Sequence, residues 1–212
     1  MFLPVVSFLQ AEEEQALDAW HNTQQTHDQR LIERCQAGDT EAFGRLVRQY
    51  QSYAFALAFR LLCDEQEARD VTQESFIKAW TNIAQFNPER KFTTWLYTIV
   101  SHQALDHLRS RKRRFALFPR DPEEADVPDL PDERRLDETV SNAELAAIIR
   151  RLTERLSPTQ RLVFSLRDLQ DLPIGEVLEI TGLSEGSIKT NLHYARKQIR
   201  TMLERSYHVK EK

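Results

Sequence analysis

The sequence predicts an all-α protein built as two small helical domains joined by an acidic, proline-rich linker. Three observations carry that expectation. Glycine is scarce, 5 of 212 residues, where about 7% is usual, and this disfavours tight hairpins, glycine-rich phosphate loops and most β-rich architectures. Apolar residues recur at spacings of three, four and seven over long runs, the period of an amphipathic helix. Between two such regions lies one stretch without periodicity that holds Pro119, Pro122, Pro128 and Pro131, the composition of an extended linker. A hydrophobic fraction of 41% and a charged fraction of 29% are those of a folded soluble chain rather than a disordered tail or a membrane protein.

Helical periodicity starts near Asp28, and Gly38-Asp39 reads as a stop followed by a new N-cap. Phe43, Leu46, Val47, Tyr50, Ala54, Leu57, Ala58 and Leu61 then form the stripe of a long helix ending near Cys63. Asp64-Glu65-Gln66-Glu67 has the pattern of a capping box, followed by a stripe of Ala68, Val71, Phe76, Ala79, Trp80 and Ile83. Pro88 holds Asn87 extended and breaks the pattern, and a fourth helix is expected from about Thr93 to Arg113. Beyond the linker, Ser141-Asn142-Ala143-Glu144 opens a helix with Leu145, Ile148, Ile149, Leu152 and Leu156 on one face. Ser157-Pro158 caps the next, and Pro173 begins a short helix that Gly182 ends. Ser184 caps a final helix carrying Ile188, Leu192, Ala195, Ile199 and Leu203. The expected boundaries are an N-terminal extension over 1–26, a first domain over 27–114, a linker over 115–138 and a second domain over 139–207.

Composition removes several function classes. Cys35 and Cys63 are too few for a disulfide scaffold, no Cys/His cluster has zinc spacing, and a reducing, cytosolic setting is expected. No apolar run reaches the ~18–20 residues of a membrane helix. Phe2 to Leu9 is apolar but lacks a preceding cation and runs into Glu12, Glu13 and Glu14, so a flexible extension is expected rather than a signal peptide. There is no Glu-x-x-His pair, HExxH, nucleophile elbow, GxGxxG or P-loop, hence no candidate catalytic residue, metal site or cofactor. Charge is partitioned along the chain. Residues 1–26 carry −4 and residues 121–138 carry −7, so an overall −4 leaves +7 for the remaining segments.

The C-terminal pattern of short helix, Gly182-Leu183-Ser184 turn and cationic longer helix is that of a helix-turn-helix. Gly182 supplies the positive φ, Leu183 plugs the interhelical angle and Ser184 caps the second helix. That helix offers Glu185, Ser187, Lys189, Thr190 and His193 to base edges and Arg196, Lys197 and Arg200 to phosphates. An ordinary helical hairpin with a solvated face has the same pattern. In the first domain, Arg109, Arg111, Lys112, Arg113 and Arg114 follow Phe92, Trp95 and Tyr97 on one helix, and cations beside aromatics are what unpaired bases require. The competing reading is a dipole-friendly helix end with Trp95 or Phe92, at least one of them, in the core. Asp70, Gln73, Glu74 and Lys78 form a polar ridge, either merely solvated or a docking surface for a large partner.

Several segments together resemble one family. Gly38-Asp39-Thr40-Glu41-Ala42-Phe43, the run from Ala68 to Trp80, the run from Phe92 to Ile99, Leu156-Ser157-Pro158 and the run from Gly182 to Lys189 are similar, in this order, to bacterial RNA polymerase sigma factors of the extracytoplasmic-function (ECF) group. The resemblance spans about residues 28–205. It implies a first domain that binds the minus-10 promoter element and the polymerase clamp, and a second that binds the minus-35 element and the flap. Asp70, Gln73, Glu74 and Lys78 would dock the clamp. The loop from Asn87 to Lys91, including Arg90, would receive a flipped base, with Thr93, Thr94, Trp95, Tyr97, His102 and the basic run Arg109, Arg111, Lys112 and Arg113 beside it. Ser184, as the cap, completes the minus-35 set. Where the family often carries Asn on the melting helix, this chain has Ser101-His102. The resemblance also implies an anti-sigma factor as partner, often membrane-anchored, with no membrane insertion by this chain itself.

A linker of roughly 24 residues extends to about 80 Å while two duplex turns span about 70 Å, so both elements can be reached at once. Its acidity suggests that it occupies a basic nucleic-acid channel of the polymerase. The alternatives are a dimeric helix-turn-helix regulator that acts without polymerase and a protein whose basic patches bind only other proteins.

Overall fold

The computed structural model describes residues 25–117 and 155–208. The first 24 residues, the acidic linker beyond residue 117 and the helix expected from Ser141 lie outside the described residues. The described chain is helical and contains no β-strand. Helix α1 covers residues 25–36, α2 Thr40–Leu62, α3 Glu65–Asn82, followed by a 3-10 turn Ile83–Gln85, and α4 Phe92–Leu117. The second domain consists of α5 Pro158–Phe164, a π-helical turn Ser165–Leu169, α6 Ile174–Thr181 and α7 Glu185–His208.

Each helix starts and stops where local chemistry requires. Gly38 sits at φ 91°, closing α1 in a conformation that a side chain disfavours. Asp39 then accepts from the Ala42 N–H at 3.0 Å on one oxygen and, on the other, from two Arg34 nitrogens at 2.9 and 2.6 Å. α2 ends on Cys63 in the left-handed region at φ 58°, its N–H returning to the Phe59 carbonyl. Asp64 caps α3 through the Glu67 N–H at 2.8 Å. The capping box expected there is only half formed, because the Glu67 carboxylate turns to Arg111 at 3.0 Å and His107 at 3.2 Å on α4. The Ser157–Gln160 box is complete in both directions. Ile83, expected on the α3 stripe, instead begins the 3-10 turn but remains buried. Two Gln36 hydrogen bonds, to the Ile83 carbonyl at 3.0 Å and the Phe86 carbonyl at 2.8 Å, hold that turn.

The first-domain core forms where α2, α3 and α4 pack on one another. Leu46, Leu57, Leu61, Val71, Leu96 and Val100 are essentially inaccessible to solvent, and burying each Leu or Val contributes roughly 1.5–3 kcal/mol. Ala54, Ala58, Ala68 and Ala79 are fully buried, and their small side chains let the helix backbones approach closely. α1 adds Leu31, Ile32 and Cys35. It is fastened by Asp28, a buried acid that accepts from Gln49 at 2.9 Å and from the Tyr50 hydroxyl. Such donors offset the desolvation of a buried carboxylate. Phe43 and Trp80, expected on buried stripes, are half-buried, since no described element covers the seam between α2 and α3 on that side.

Leu162, Val163, Leu166, Val177, Ile180, Ile188 and Leu192 form the second-domain core, which continues into the first. α6 packs on α4 and α5 on α2. The π turn and Asp171 at φ 50° end the α5 run so that the Leu172 N–H returns to the Leu166 carbonyl at 3.0 Å.

The Asp39 carboxyl is held below its ordinary value, chiefly by the Ala42 N–H and then by Arg34. A depressed acid contributes stability above its unfolded pKa of about 4 and loses it as pH falls through the lower folded value. Asp39→Asn is therefore expected to lower the urea midpoint at pH 6, with the gap to the wild-type chain narrowing below about pH 4. A gap independent of pH would show that the carboxylate charge is immaterial.

Candidate nucleic-acid interface

The start of α4 is fixed by rings. Phe92 lies 5.3 Å from Tyr50, 5.9 Å from Phe86 and 5.8 Å from Trp95, and Phe86 and Trp95 are 4.8 Å apart. Phe92, Phe86 and Tyr50 are buried, whereas Trp95 is half-buried. Of the two aromatics weighed as core, Phe92 is core and Trp95 keeps an open side. That side faces a hollow of about 280 Å³ shared with Lys78, Asn82, Gln85 and Ile99. An indole, two amides and an ammonium are suited to a flat heterocycle that stacks and accepts or donates hydrogen bonds. Asn82 and Gln85 carried no signal in the sequence, because they join Trp95 only through the packing of α3 on α4. Lys78, expected on the polymerase ridge, lines this hollow and lies 3.4 Å from the Gln103 amide oxygen.

The loop before α4 is ordered by its own backbone. The Asn87 side-chain oxygen accepts from the Glu89 N–H at 3.0 Å and its carbonyl from the Arg90 N–H at 3.0 Å. Arg90 and Lys91 are exposed, and Thr93 is half-buried. Thr94 and Tyr97 are buried, at 3% and 5% exposure, because α6 covers this face of α4. The Thr94 hydroxyl donates to Glu176 at 3.0 Å, Lys91 pairs with Glu176 at 2.6 Å and Arg90 with Glu179 at 2.9 Å. Burial pushes the Tyr97 phenol up to about 12, Arg60 opposing and Tyr53 and Glu176 adding to the rise. Tyr97 is therefore neutral and, in this arrangement, closed to an incoming base.

His102 projects outward from α4. In the basic run, Arg109 pairs with Asp106 at 2.8 Å and Arg111 with Glu67. Lys112, Arg113 and Arg114 are exposed and carry the positive charge of that end outward.

Asp70, Gln73, Glu74 and Lys78 form an exposed ridge along α3, whose Glu74 and Lys78 lean to the α4 side, each 3.4 Å from the Gln103 amide. Beside it runs a groove of about 790 Å³ lined by Phe43, Val47, Phe55, Phe76, Ile77 and Trp80 among others. Ile77 is 59% exposed. An apolar residue out of register with the α3 stripe was its only sequence signal.

In the second domain Gly182 adopts φ 66° and the Ser187 N–H reaches the Ser184 hydroxyl at 3.3 Å, forming the expected turn. Ser184, Glu185, Lys189, Thr190, His193, Arg196, Lys197 and Arg200 are exposed along α7, and Ser187 is half-buried. Three are already engaged: Glu185 and Lys189 pair with each other at 2.6 Å, and Arg196 is gripped by Asp168 at 2.8 and 2.6 Å. That grip raises the Arg196 pKa and partly neutralises the cation that the sequence reading offered to phosphate.

The helices and their order agree with known proteins. Residues 46–114 match the Sigma-70 region 2 model and residues 146–199 the Sigma-70 region 4 model. The chain is 31% identical to the Bacillus subtilis ECF RNA polymerase sigma factor SigW, over 81% of this chain and 94% of that one. It is 32% identical to the RNA polymerase sigma-H factor of Pseudomonas aeruginosa, covering 82% and 93%, and 32% identical to the Escherichia coli ECF sigma-E factor, covering 84% and 94%. Its fold is similar to that of CnrH solved with the cytosolic domain of CnrY, at TM-score 0.59 and 24% identity over 84% of this chain and 97% of that one. It is also similar to the Bartonella quintana sigma factor RpoE solved with the anti-sigma factor NepR, at 0.60 and 21% over 76% and 96%. With both region models matched in order and relatives above 30% identity aligned along four fifths of its length, the chain belongs to the ECF group of RNA polymerase sigma factors.

Proposed function

We propose that this chain binds core RNA polymerase and directs it to promoters, reading the minus-35 element with α7 and the minus-10 element around the start of α4. The observation that carries this reading is the Trp95 hollow with Lys78, Asn82 and Gln85. A surface for unpaired bases serves strand opening and has no use in a regulator that only docks on duplex DNA. Its role is binding rather than bond chemistry. Each base stacked on an aromatic contributes about 1–3 kcal/mol, comparable with unstacking one step, so trapping a few bases tips the duplex toward opening.

The remaining roles are those that the family resemblance implies. The Asp70–Gln73–Glu74 ridge, joined by Ile77 and the neighbouring groove, docks the polymerase clamp. Asn87, Arg90, Lys91, Thr93, Thr94, Tyr97, His102 and the cations Arg109, Arg111, Lys112 and Arg113 follow the melted strand. The exposed residues of α7 read the upstream element. The domain limits that accompany these roles are 27–114 and 139–207, with the acidic 115–138 segment crossing the polymerase between them. Among the described residues no helix is long and apolar enough to cross a membrane. Fold neighbours solved with CnrY and NepR support an anti-sigma factor as a further partner.

In vitro transcription with bacterial core polymerase on promoter fragments from the source genome is expected to give new, selective transcripts only when this chain is added. A chain that shifts duplex DNA as a dimer yet never supports initiation would overturn the reading. Trp95→Ala should slow strand opening by roughly 5- to 160-fold, the kinetic equivalent of about 1–3 kcal/mol. Closed-complex affinity should stay within about twofold, and Trp95→Phe should recover most of the opening rate. Equal losses in both steps, in a variant with unaltered thermal unfolding, would remove Trp95 from the melting role. For α7, Arg196→Ala is expected to weaken binding across sequences and flatten the salt dependence by about one charge, while Asp168→Asn frees Arg196 and strengthens binding. A loss confined to one base position would instead make Arg196 a base reader.

A further inference from the structure

The contact between α6 and the start of α4 brings opposite charges together in an unusual place. Glu176 is only 16% exposed at its side chain, and each of its oxygens is taken: one by the Lys91 ammonium at 2.6 Å, the other by the Thr94 hydroxyl at 3.0 Å. One turn further along α6, Glu179 meets Arg90 at 2.9 Å. Lys91 lies at the cap of α4, its carbonyl accepting from the Trp95 N–H, so the carboxylate sits at the positive end of a 26-residue helix. Cation, hydroxyl and helix N-terminus around one bound oxyanion make up the chemistry of a phosphate seat. Nearby, the partly buried Arg60 guanidinium faces Tyr97, and its Nη1 has no acceptor among the described residues. The occupant in this arrangement belongs to the chain itself.

We propose that the Arg90–Lys91–Thr94 notch binds a backbone phosphate of the unpaired promoter strand, and that Glu176 and Glu179 occupy it in the free chain, so that the closed two-domain form masks its own minus-10 surface. The inference rests on the promoter-binding reading above. Closure has a second anchor: Arg161 of α5, 7% exposed, donates to the Leu61 carbonyl at the end of α2 at 2.6 Å and to the Cys63 sulfur at 3.3 Å. It thereby satisfies one of the carbonyls that the C-terminus of α2 leaves open. Closure and strand binding exclude each other because both need Lys91 and Thr94. α7 stays exposed in the closed form, so the upstream contact is available before the downstream one. A ligand for a site open only part of the time binds with an affinity reduced by the open fraction. Weakening the carboxylate occupants therefore raises affinity without adding a contact to DNA.

The test uses the full chain, a fluorescent mixed-sequence single-stranded DNA 12-mer as probe, and small-angle scattering to follow domain separation. Glu176→Gln with Glu179→Gln is expected to raise probe affinity about five- to tenfold and enlarge the radius of gyration. Adding Lys91→Ala to that pair should abolish the gain in affinity while leaving the enlarged radius. Glu41→Gln with Glu65→Gln, which removes two exposed acids elsewhere, should change neither. Affinity and radius both unchanged in the Glu176/Glu179 variant would overturn the proposal, as would an enlarged radius without tighter binding or an equal gain in the control pair. If no form binds the probe while the chain still initiates transcription with core polymerase, the phosphate seat is wrong and the sigma reading stands. If transcription also fails, the fault lies in that earlier reading.

Discussion

The ring cluster of Tyr50, Phe86, Phe92 and Trp95 is the constraint on which the interface depends. It joins α2, the loop after α3 and the first turn of α4 within ring separations of 4.8–5.9 Å. Offset and edge contacts of this kind add about 0.5–1.5 kcal/mol per pair beyond burial. The effect on geometry matters more than the sum. With Phe92 buried, the helix has one rotational setting, and that setting sends Trp95 toward α3 and Thr94 and Tyr97 toward α6. Two surfaces of different chemistry thus arise from one helix turn. Gln36, reaching from α1 to the Ile83 and Phe86 carbonyls, holds the incoming chain so that the loop cannot relax away from the cluster.

Electrostatics divides the charged residues into those committed to the fold and those left for a partner. Glu67 collects Arg111 and His107 on α4, and Asp168 grips Arg196. Half-exposed pairs of this sort, near the protein surface, contribute little stability, roughly 0–1 kcal/mol each. Their consequence is that the cations they engage are oriented and partly neutralised. Lys112, Arg113 and Arg114 at one end, and Lys197 and Arg200 at the other, keep their charge toward solvent. The pairs between Lys91 and Glu176 and between Arg90 and Glu179 differ because they bridge domains. A modest number of such contacts, with the wedge of Arg161, gives an interface that can hold and also release, as interfaces between domains commonly do.

The seam between α2 and α3 shows the same economy in apolar form. Alanines bring the helix axes together at the core, while Phe43, Phe55 and Trp80 on the outer side are too large to be covered by two helices alone. The resulting groove, edged by Arg69 and Gln73, presents apolar and polar chemistry side by side. A contiguous apolar surface rimmed by polar groups is characteristic of a protein-binding face.

By itself the sequence determined the order of the described helices and most of their ends, because caps and apolar periodicity act within a few residues of chain: Asp39, Asp64, Ser157 and Gly182 all stand where the structure places the boundaries. The family was legible for the same reason, since its motifs are local runs, and so were the exposed face of α7 and the polar ridge of α3. What local pattern does not encode is which side chains from distant segments meet. Glu67 was readable as half of a capping box, yet its carboxylate goes to α4, where the aligned cation Arg111 is the stronger partner. Phe43 and Trp80 belong to buried stripes by periodicity and line an open groove, because burial depends on whether a further element covers them. Tyr97 and Thr94 read as strand-facing residues, and α6 covers them through a carboxylate more than 80 residues away along the chain. Only the tertiary structure assembled the Trp95 hollow and the carboxylate in the Lys91 notch, because both exist through contacts between helices whose packing is set by the summed burial of their faces.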